Sequence, residues 1–382
     1  MKWSALVIAL VAAMSLSACG KKQEASDNGR QVVKIGQSSP LTGPQAHLGK
    51  DNDNGARLAI DEINATNPTL GGKPVVFEII SEDDGADPKT ATTVAQRLVD
   101  EGVAGVIGHL NSGATIPASK VYFDAGIPQI SPSATAVKYT TQGFKTAFRV
   151  MTNDEQQGTV LGQYAAKLGK KIAIIDDRTA YGQGLADEVE KAAKAAGEEV
   201  VAREYTTDRA TDFMAILTSI KAKNPDVIFF GGMDPQAAPL VKQMHQLGMR
   251  ARFLGADGSE TPKFIQLAGP DAEGSIASMP GLPLASMPGG AEFKKKFEAK
   301  YGQIQNYAPY AYDAVHVMVQ AMEKAASADP TKYLVELPKT DYQGVTGHIR
   351  FDAKGDLTGG SITLYQVENG KWTVLETIKS GE

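Results

Sequence analysis

Hydrophobic positions along this chain alternate between two spacings. Short runs, apolar on successive residues, are separated by stretches in which apolar residues recur every three or four positions. Val32-Val33-Lys34-Ile35-Gly36 predicts a strand, and 49–64 a helix with Ala56, Ile60 and Ile63 at helical spacing. Residues 74–80 read as a strand, and 88–100 as a helix with Pro88 in its first turn. A buried strand at 103–107, a helix at 114–124 and a short strand at 127–130 follow. This βαβαβαβ order is the signature of a parallel sheet covered on both faces.

A second series then starts. It runs helix 152–168, strand 171–175, helix 184–196 ended by Gly197, strand 200–205, helix 212–223, strand 227–230, helix 235–247 ended by Gly248, and strand 253–254. The two series are similar in size and share no motif. The last third breaks the rhythm. Pro280-Gly281-Leu282-Pro283 is a connector, 291–301 and 309–326 are helices, and the character after Pro338 is antiparallel. Residues 347–351, 361–367 and 372–378 read as strands, with Asn369-Gly370 as a hairpin turn. Two helices and a meander do not make a third domain. The tail is expected to return and complete both halves, with several chain crossings.

The first residues follow a different logic. Lys2 precedes an unbroken apolar run from Ala5 to Met14, and Leu16-Ser17-Ala18-Cys19 places small residues before a cut. This is the layout of a secretory leader. Ten apolar residues span only about 15 Å as a helix, half a bilayer core, which argues against a retained anchor. Cys19 is the only cysteine in the chain. Leu-Ser-Ala-Cys resembles a bacterial lipobox, which implies a mature chain that begins at Cys19, carries lipid there and works outside the cytoplasm. Residues 20–31 are polar and read as a flexible tether with a mean reach of about 20 Å.

Composition narrows the class. The net charge of −5 becomes −6 once Lys2 leaves with the leader, so there is no basic excess for nucleic acid. With Cys19 acylated no disulfide forms, and the fold must rest on a core that this length allows.

In open parallel sheets, ligands bind beyond the carboxyl ends of strands. Two strands of the first series end in loops rich in small hydroxyls: Gly108-His109-Leu110-Asn111-Ser112-Gly113-Ala114-Thr115, which enters a helix, and Ser131-Pro132-Ser133-Ala134-Thr135-Ala136. Side by side, they offer hydroxyls, free N–H groups and a helix start to a carboxylate. Taken alone, Ser112 reads as a plain N-cap. An anion held without a cation points to a zwitterion, whose ammonium needs carbonyls of the Ser133 loop and an acid from the other half. Asp257 follows a strand of the second series. It reads equally as a turn residue before Gly258. Tyr181 opens a helix and either covers an aliphatic side chain or packs locally.

Signs of catalysis are thin. The histidines at 47, 109, 245, 316 and 348 are scattered, with no metal-ligand spacing. His109 falls near the expected pocket, yet no nucleophile–base pair accompanies it. No cofactor loop or metal motif is present in the sequence, so neither an enzyme nor a cofactor is expected. Asp51, Asp53, Asp61 and Glu62 lack calcium-loop spacing and read as a solvated helix face. Glu82-Asp83-Asp84 with Asp87 reads as loop surface.

Several segments in order carry a family resemblance: Leu41-Thr42-Gly43-Pro44, Gly55-Ala56 to Ile63-Asn64, Asp83-Asp84 with Asp87-Pro88, Val106-Ile107-Gly108-His109, Ala180-Tyr181-Gly182-Gln183-Gly184, Tyr312-Asp313-Ala314-Val315, and Phe351-Asp352 with Gly355-Asp356. Over nearly all of the mature chain it resembles the type I periplasmic solute-binding proteins of branched-chain amino acid ABC transporters. The resemblance implies two α/β lobes, each a mostly parallel sheet flanked by helices, joined by three crossings and closing as a hinge. The expected division is 1–18 leader, 19–31 lipidated tether, 32–151 with 281–341 as the first lobe, and 152–280 with 342–382 as the second.

The resemblance further implies that Ser112 and Thr135, with backbone of Ser133, Ala134 and Thr135, hold the carboxylate and ammonium of an amino acid. Asp257 stands where an acid faces the ammonium, usually Glu in relatives, and Tyr181 matches an aromatic of the second lobe. Leu48 and Met233 replace aromatics, which leaves the side-chain pocket apolar but altered in shape. Ala86 and Asn111 stand in place of a disulfide. The implied partners are a small amino acid, ABC permease subunits and a membrane reached through the lipid, with the chain itself a monomer. Rival expectations keep the fold but bind a short amide, urea, another small polar solute or another small amino acid, or report ligand to a signalling partner.

Overall fold

Ile172, Ala173, Ile174 and Ile175 are all fully inaccessible, as are Val106 and Ile107. Such continuous burial fits strands covered on both faces rather than the half-solvated alternation of an exposed sheet. In the computed structural model, which describes residues 26, 27 and 29–379, these runs organise two separate sheets.

The first sheet has the order Thr69–Leu70, Lys73–Asp83, Arg30–Ser39, Gly105–Gly108, Gln129–Ser131, Ala147–Arg149, with Ser26–Asp27 paired to the start of Arg30–Ser39. Its four inner pairings are parallel, and in register Ile107 lies beside Ile130. The second has the order Lys371–Lys379, Ser361–Glu368, Ile276–Pro280, Arg252–Gly255, Val227–Gly231, Lys171–Asp176, Glu199–Tyr205. Only Ser361–Glu368 runs against the others, so the two pairings it makes are antiparallel. No helix among the described residues is long and apolar enough to cross a membrane.

The chain passes between the sheets after Arg149, after Pro280, and again before Ser361. Between the last two passages, helices Gly290–Tyr301 and Ala308–Lys324 lie with the first sheet. The start of Ala308–Lys324 sits so close to helix Ala46–Ala65 that a Cβ on Gly55 would fall 2.3 Å from the Ala308 carbonyl oxygen.

The tail also holds to the first lobe longer than expected. Residues 342–357 were assigned above to the second lobe. Tyr342–Gln343 instead pairs with His348–Ile349 alone, Phe351 packs on Phe148 with centroids 5.0 Å apart, and the Gly355 carbonyl accepts the Arg149 N–H at 3.0 Å. Only from Ser361 does the chain join the second sheet. Alternation marks a strand but does not say which sheet receives it. Sequence reading also missed the three-residue strand Ala147–Arg149, which is too short to show a period.

Candidate functional site

Because strands Gly105–Gly108 and Gln129–Ser131 are parallel neighbours, the loops leaving their carboxyl ends are adjacent. Asn111, extended, is the N-cap of helix Ser112–Ala125, so Ser112 is the first helical residue rather than the cap. Ser112 is buried, and its hydroxyl accepts the Ala136 N–H at 3.1 Å, which stitches the two loops together. The Ser133 hydroxyl donates to the Leu110 carbonyl at 3.3 Å and accepts from Asn52 Nδ2 at 3.2 Å. The Ala134 N–H donates to Ser131 Oγ at 2.9 Å.

Behind this loop lies a residue the sequence reading missed. Arg149 is fully buried and donates to the carbonyls of Ala134 (2.9 Å) and Ala136 (3.0 Å) and to Thr140 Oγ1 (2.8 Å). It pairs with Asp356, from the returning tail, at 2.5 Å. One guanidinium with its fixed fork thereby sets the shape of the Ser133–Ala136 turn. Of the loop carbonyls that the resemblance names, that of Thr135 accepts the Asp154 N–H at 2.9 Å, and that of Ala134 is taken by Arg149.

Asp154 opens helix Asp154–Leu168, whose start is fixed by a reciprocal capping box between Asn153 and Gln156. Its side chain is buried, and the one polar side chain set to serve it is the neighbouring buried Thr135 hydroxyl, which lies outside good hydrogen-bond geometry. Burial pushes the Asp154 carboxyl up to about 8. The nearby Thr135 hydroxyl opposes the shift, the Asp257 charge adds to it, and Arg149 opposes it. A buried acid in this state is neutral at pH 7 unless a cation comes to it.

Asp257, beyond strand Arg252–Gly255, differs in being fully served. Its Oδ1 accepts from Tyr181 OH and from Gln157 Nε2, both at 2.9 Å, and its Oδ2 accepts from Tyr307 OH at 2.8 Å. Burial raises its pKa and the three donors pull it back. Tyr181 is set by the Thr179 cap, whose hydroxyl accepts the Gly182 N–H. Its hydroxyl anchors the acid and also accepts the Gly258 N–H at 3.2 Å. Gly258 has no room for a side chain: a Cβ there would fall 2.5 Å from Met233 Sδ and 2.7 Å from the Gly232 carbonyl oxygen. Leu48 is fully buried and belongs with Leu110, Tyr181, Met233 and Tyr307 to one apolar cluster that spans both lobes.

Tyr307 was also missed, although it reaches Asp257 from the other lobe. What places it is Asp51, whose reading as part of a solvated face is wrong. Asp51 is buried and accepts the N–H groups of Gln305 (2.9 Å), Asn306 (2.9 Å), Tyr307 (2.7 Å) and Ala308 (2.8 Å). It caps helix Ala308–Lys324 from a distant helix, a pairing no local pattern announces. Asn306 Nδ2 donates to the Asp257 carbonyl at 2.9 Å, and His47 Nε2 lies 2.7 Å from Asp234 Oδ2, so polar side chains join the lobes here.

Asp84, read as loop surface, is likewise fully buried, 2.7 Å from His109 Nδ1 and 3.1 Å from the Ser38 hydroxyl that donates to it. His109 Nε2 lies 3.0 Å from the Tyr122 hydroxyl, so both ring nitrogens are engaged in packing. Of the other acids in those two groups, Asp53 and Asp61 do form surface pairs, with Arg57 and Lys300. No group of three metal-ligating side chains occurs among the described residues. At the cleft edge both lobes line a cavity of about 400 Å³, with Gln45, Ala86 and Asn111 on one side and Arg178, Tyr181 and Met233 on the other. Where the resemblance has a disulfide, Asn111 Nδ2 donates to Gln45 Oε1 at 2.7 Å.

Two sheet lobes joined by three crossings, with acids and hydroxyls converging between them, define a hinged ligand-binding protein. The chain belongs to the periplasmic binding protein family, whose model matches residues 32–371. It is 38% identical over 341 residues to Leu/Ile/Val-binding protein homolog 1 of Brucella suis, covering 88% of this chain and 91% of that one. It is 35% identical over 360 residues to the leucine-, isoleucine-, valine-, threonine- and alanine-binding protein of Pseudomonas aeruginosa, covering 94% of each. Among solved structures it resembles the branched-chain amino acid substrate-binding protein LivJ of Streptococcus pneumoniae in complex with isoleucine, with a TM-score of 0.83, 30% identity and coverage of 91% of this chain and all of that one.

Proposed function

We propose that this protein is a lipid-anchored, extracytoplasmic receptor for a branched-chain aliphatic amino acid, which it hands to an ABC permease. The observation that carries the reading is a buried acid that no cation meets, the Asp154 carboxyl, with only the neighbouring Thr135 hydroxyl beside it. Buried polar groups are normally satisfied, and a buried acid with one poorly placed hydroxyl and no cation fits an arriving ammonium. Ser112 and the N-terminus of its helix then meet the carboxylate, and Leu48 and Met233 meet the aliphatic chain. Asp257 takes the ammonium from the second lobe and, through Tyr307, joins the halves.

The names of the relatives support this ligand class. Replacing aromatics by Leu48 and by the adaptable Met233 fits a pocket that admits several aliphatic side chains. The mechanism is binding without turnover. Ligand contacts both lobes, favours the closed arrangement by its extra contacts there, and leaves when the permease opens it. Cys19 lies outside the described residues, and its lipidation rests on the sequence alone. Isothermal calorimetry against the twenty amino acids, urea and acetamide tests the ligand. Heat from leucine, isoleucine or valine is expected; heat from amides alone counts against the reading. Cys19→Ser should move the protein from the membrane to the soluble fraction, and an unchanged membrane fraction would remove the anchor.

A further inference from the structure

The two lobes enclose a second cavity, of about 450 Å³, that shares no lining residue with the cleft cavity. Asn306, whose amide holds the Asp257 carbonyl, is on its wall. The first lobe contributes Leu284, Met287, Pro309 and Tyr310, and the second Ile265, Met279, Tyr365 and Trp372. The polar tips of two of the rings are used elsewhere. Tyr310 OH donates to the Pro280 carbonyl at 2.6 Å, and Trp372 Nε1 donates to the Thr261 carbonyl at 2.9 Å. Trp372 is further fixed by stacking on Phe264, with centroids 5.6 Å apart.

Two acids and two lysines line this otherwise apolar, aromatic space: Glu260, Glu298, Lys294 and Lys371. Glu260 is partly buried, and its carboxylate makes no ion pair or hydrogen bond with any described residue. Lys294, on the rim, is already paired with Glu298. Burial, with Asp257 adding to it, pushes the Glu260 carboxyl up to about 8, and no cation offsets the shift. An unpaired carboxylate in an aromatic cavity is complementary to a cation with an apolar body, because rings attract cations over their faces.

We propose that this inter-lobe cavity is a second binding site, for an organic monocation of the arylalkylamine class, whose ammonium pairs with Glu260 and whose body lies against Tyr310, Tyr365 and Trp372. Because both lobes form its wall, an occupant favours the closed arrangement and strengthens amino-acid binding, and by reciprocity the amino acid strengthens the amine.

Calorimetry on the full chain, with and without saturating leucine, tests this with phenethylamine, 2-phenylethanol and phenylacetate as probes. Phenethylamine is expected to bind one to one, more tightly when leucine is present. The isosteric alcohol should bind roughly tenfold more weakly or worse, and the anion not at all. Glu260→Gln should lower amine affinity roughly ten- to a hundred-fold while leucine still binds as in the parent, which also verifies folding. Tyr365→Leu keeps an apolar wall without the ring and should weaken the amine alone. Proton release at pH 7 provides a further readout. The groups facing Glu260 are Asp257, Tyr310 and Tyr365, with Lys294, Glu298 and Lys371 at the rim. No amine binding, equal affinity for the alcohol, indifference to Glu260→Gln, or displacement of the amine by leucine would each overturn the proposal. The titration without leucine is read independently of whether leucine binds, so the two readings fail separately.

Discussion

At the residue scale the cleft holds two acids with opposite histories. Asp257 has three well-placed donors; Asp154 has only the Thr135 hydroxyl beside it. An Asn at 257 keeps an oxygen for Tyr181 and Gln157 but offers no acceptor to the Tyr307 hydroxyl, and it brings no charge to an ammonium. Asp257→Asn is therefore expected to weaken leucine binding by about 1.5–3 kcal/mol, ten- to a hundred-fold by calorimetry. Unchanged affinity would place Asp257 outside the site. For Asp154 the sign of the pH effect is fixed by proton binding. The folded protein keeps this proton up to about 8, against an ordinary 3.8. Between those values the native state binds more protons than the unfolded one, so ligand-free stability falls as pH rises, by up to about 1.4 kcal/mol per unit. Asp177 and Asp313 (each about 6), Glu198 (about 7) and Glu260 (about 8) act in the same direction. Asp154→Asn removes one share. Urea midpoints taken from pH 5 to pH 8 should fall less steeply in the variant, and leucine binding at pH 7 should release fewer protons than in the parent.

At the element scale the decisive contacts are between helices far apart in sequence. Asp51 sits in helix Ala46–Ala65 and satisfies the first N–H groups of helix Ala308–Lys324, some 250 residues on. Asp51→Ala leaves those donors buried, which should cost about 3 kcal/mol in urea unfolding and also weaken leucine binding, because Tyr307 starts that helix. Asp51→Asn keeps one acceptor and should recover part of both. The same contact explains what the sequence made legible. The parallel strands of both sheets and the two hydroxyl loops at strand ends follow from local pattern, because period and loop composition are written within a dozen residues; Asp257 reads equally as a turn residue by pattern, and its proposed role comes from the resemblance. Asp51, Asp84, Arg149 and Tyr307 do not, because each is defined by a partner from another part of the chain. An aspartate beside a lysine on a polar helix stretch looks solvated until a second helix docks on it. The tail failed for a related reason, since its first short strands, Tyr342–Gln343 and His348–Ile349, pair only with each other on the first lobe.

For the whole molecule the issue is what holds two lobes over a ligand without locking them. Side chains cross near the cleft from Tyr307 to the Asp257 carboxylate, from Asn306 to the Asp257 carbonyl and from His47 to Asp234, beside the backbone bond from the Asp154 N–H to the Thr135 carbonyl. Two of these converge on Asp257, the acid proposed to take the ammonium, so on that proposal closure and ligand recognition share a residue. On the proposed mechanism the ligand settles first against the first-lobe loops, and the Tyr307 hydroxyl reaches Asp257 as the lobes then meet. Its loss should therefore act on escape rather than capture. Tyr307→Phe keeps the ring in the apolar cluster and removes one donor from a buried carboxylate, a change of about 1–2 kcal/mol, roughly five- to thirty-fold in affinity. In stopped-flow fluorescence this loss is expected almost entirely in the dissociation rate. Small-angle scattering at saturating leucine should give the parent and the variant the same compact dimensions. A slower association rate with unchanged dissociation would mean that the lobes close before the ligand arrives, and that Tyr307 helps to form the site rather than to shut it.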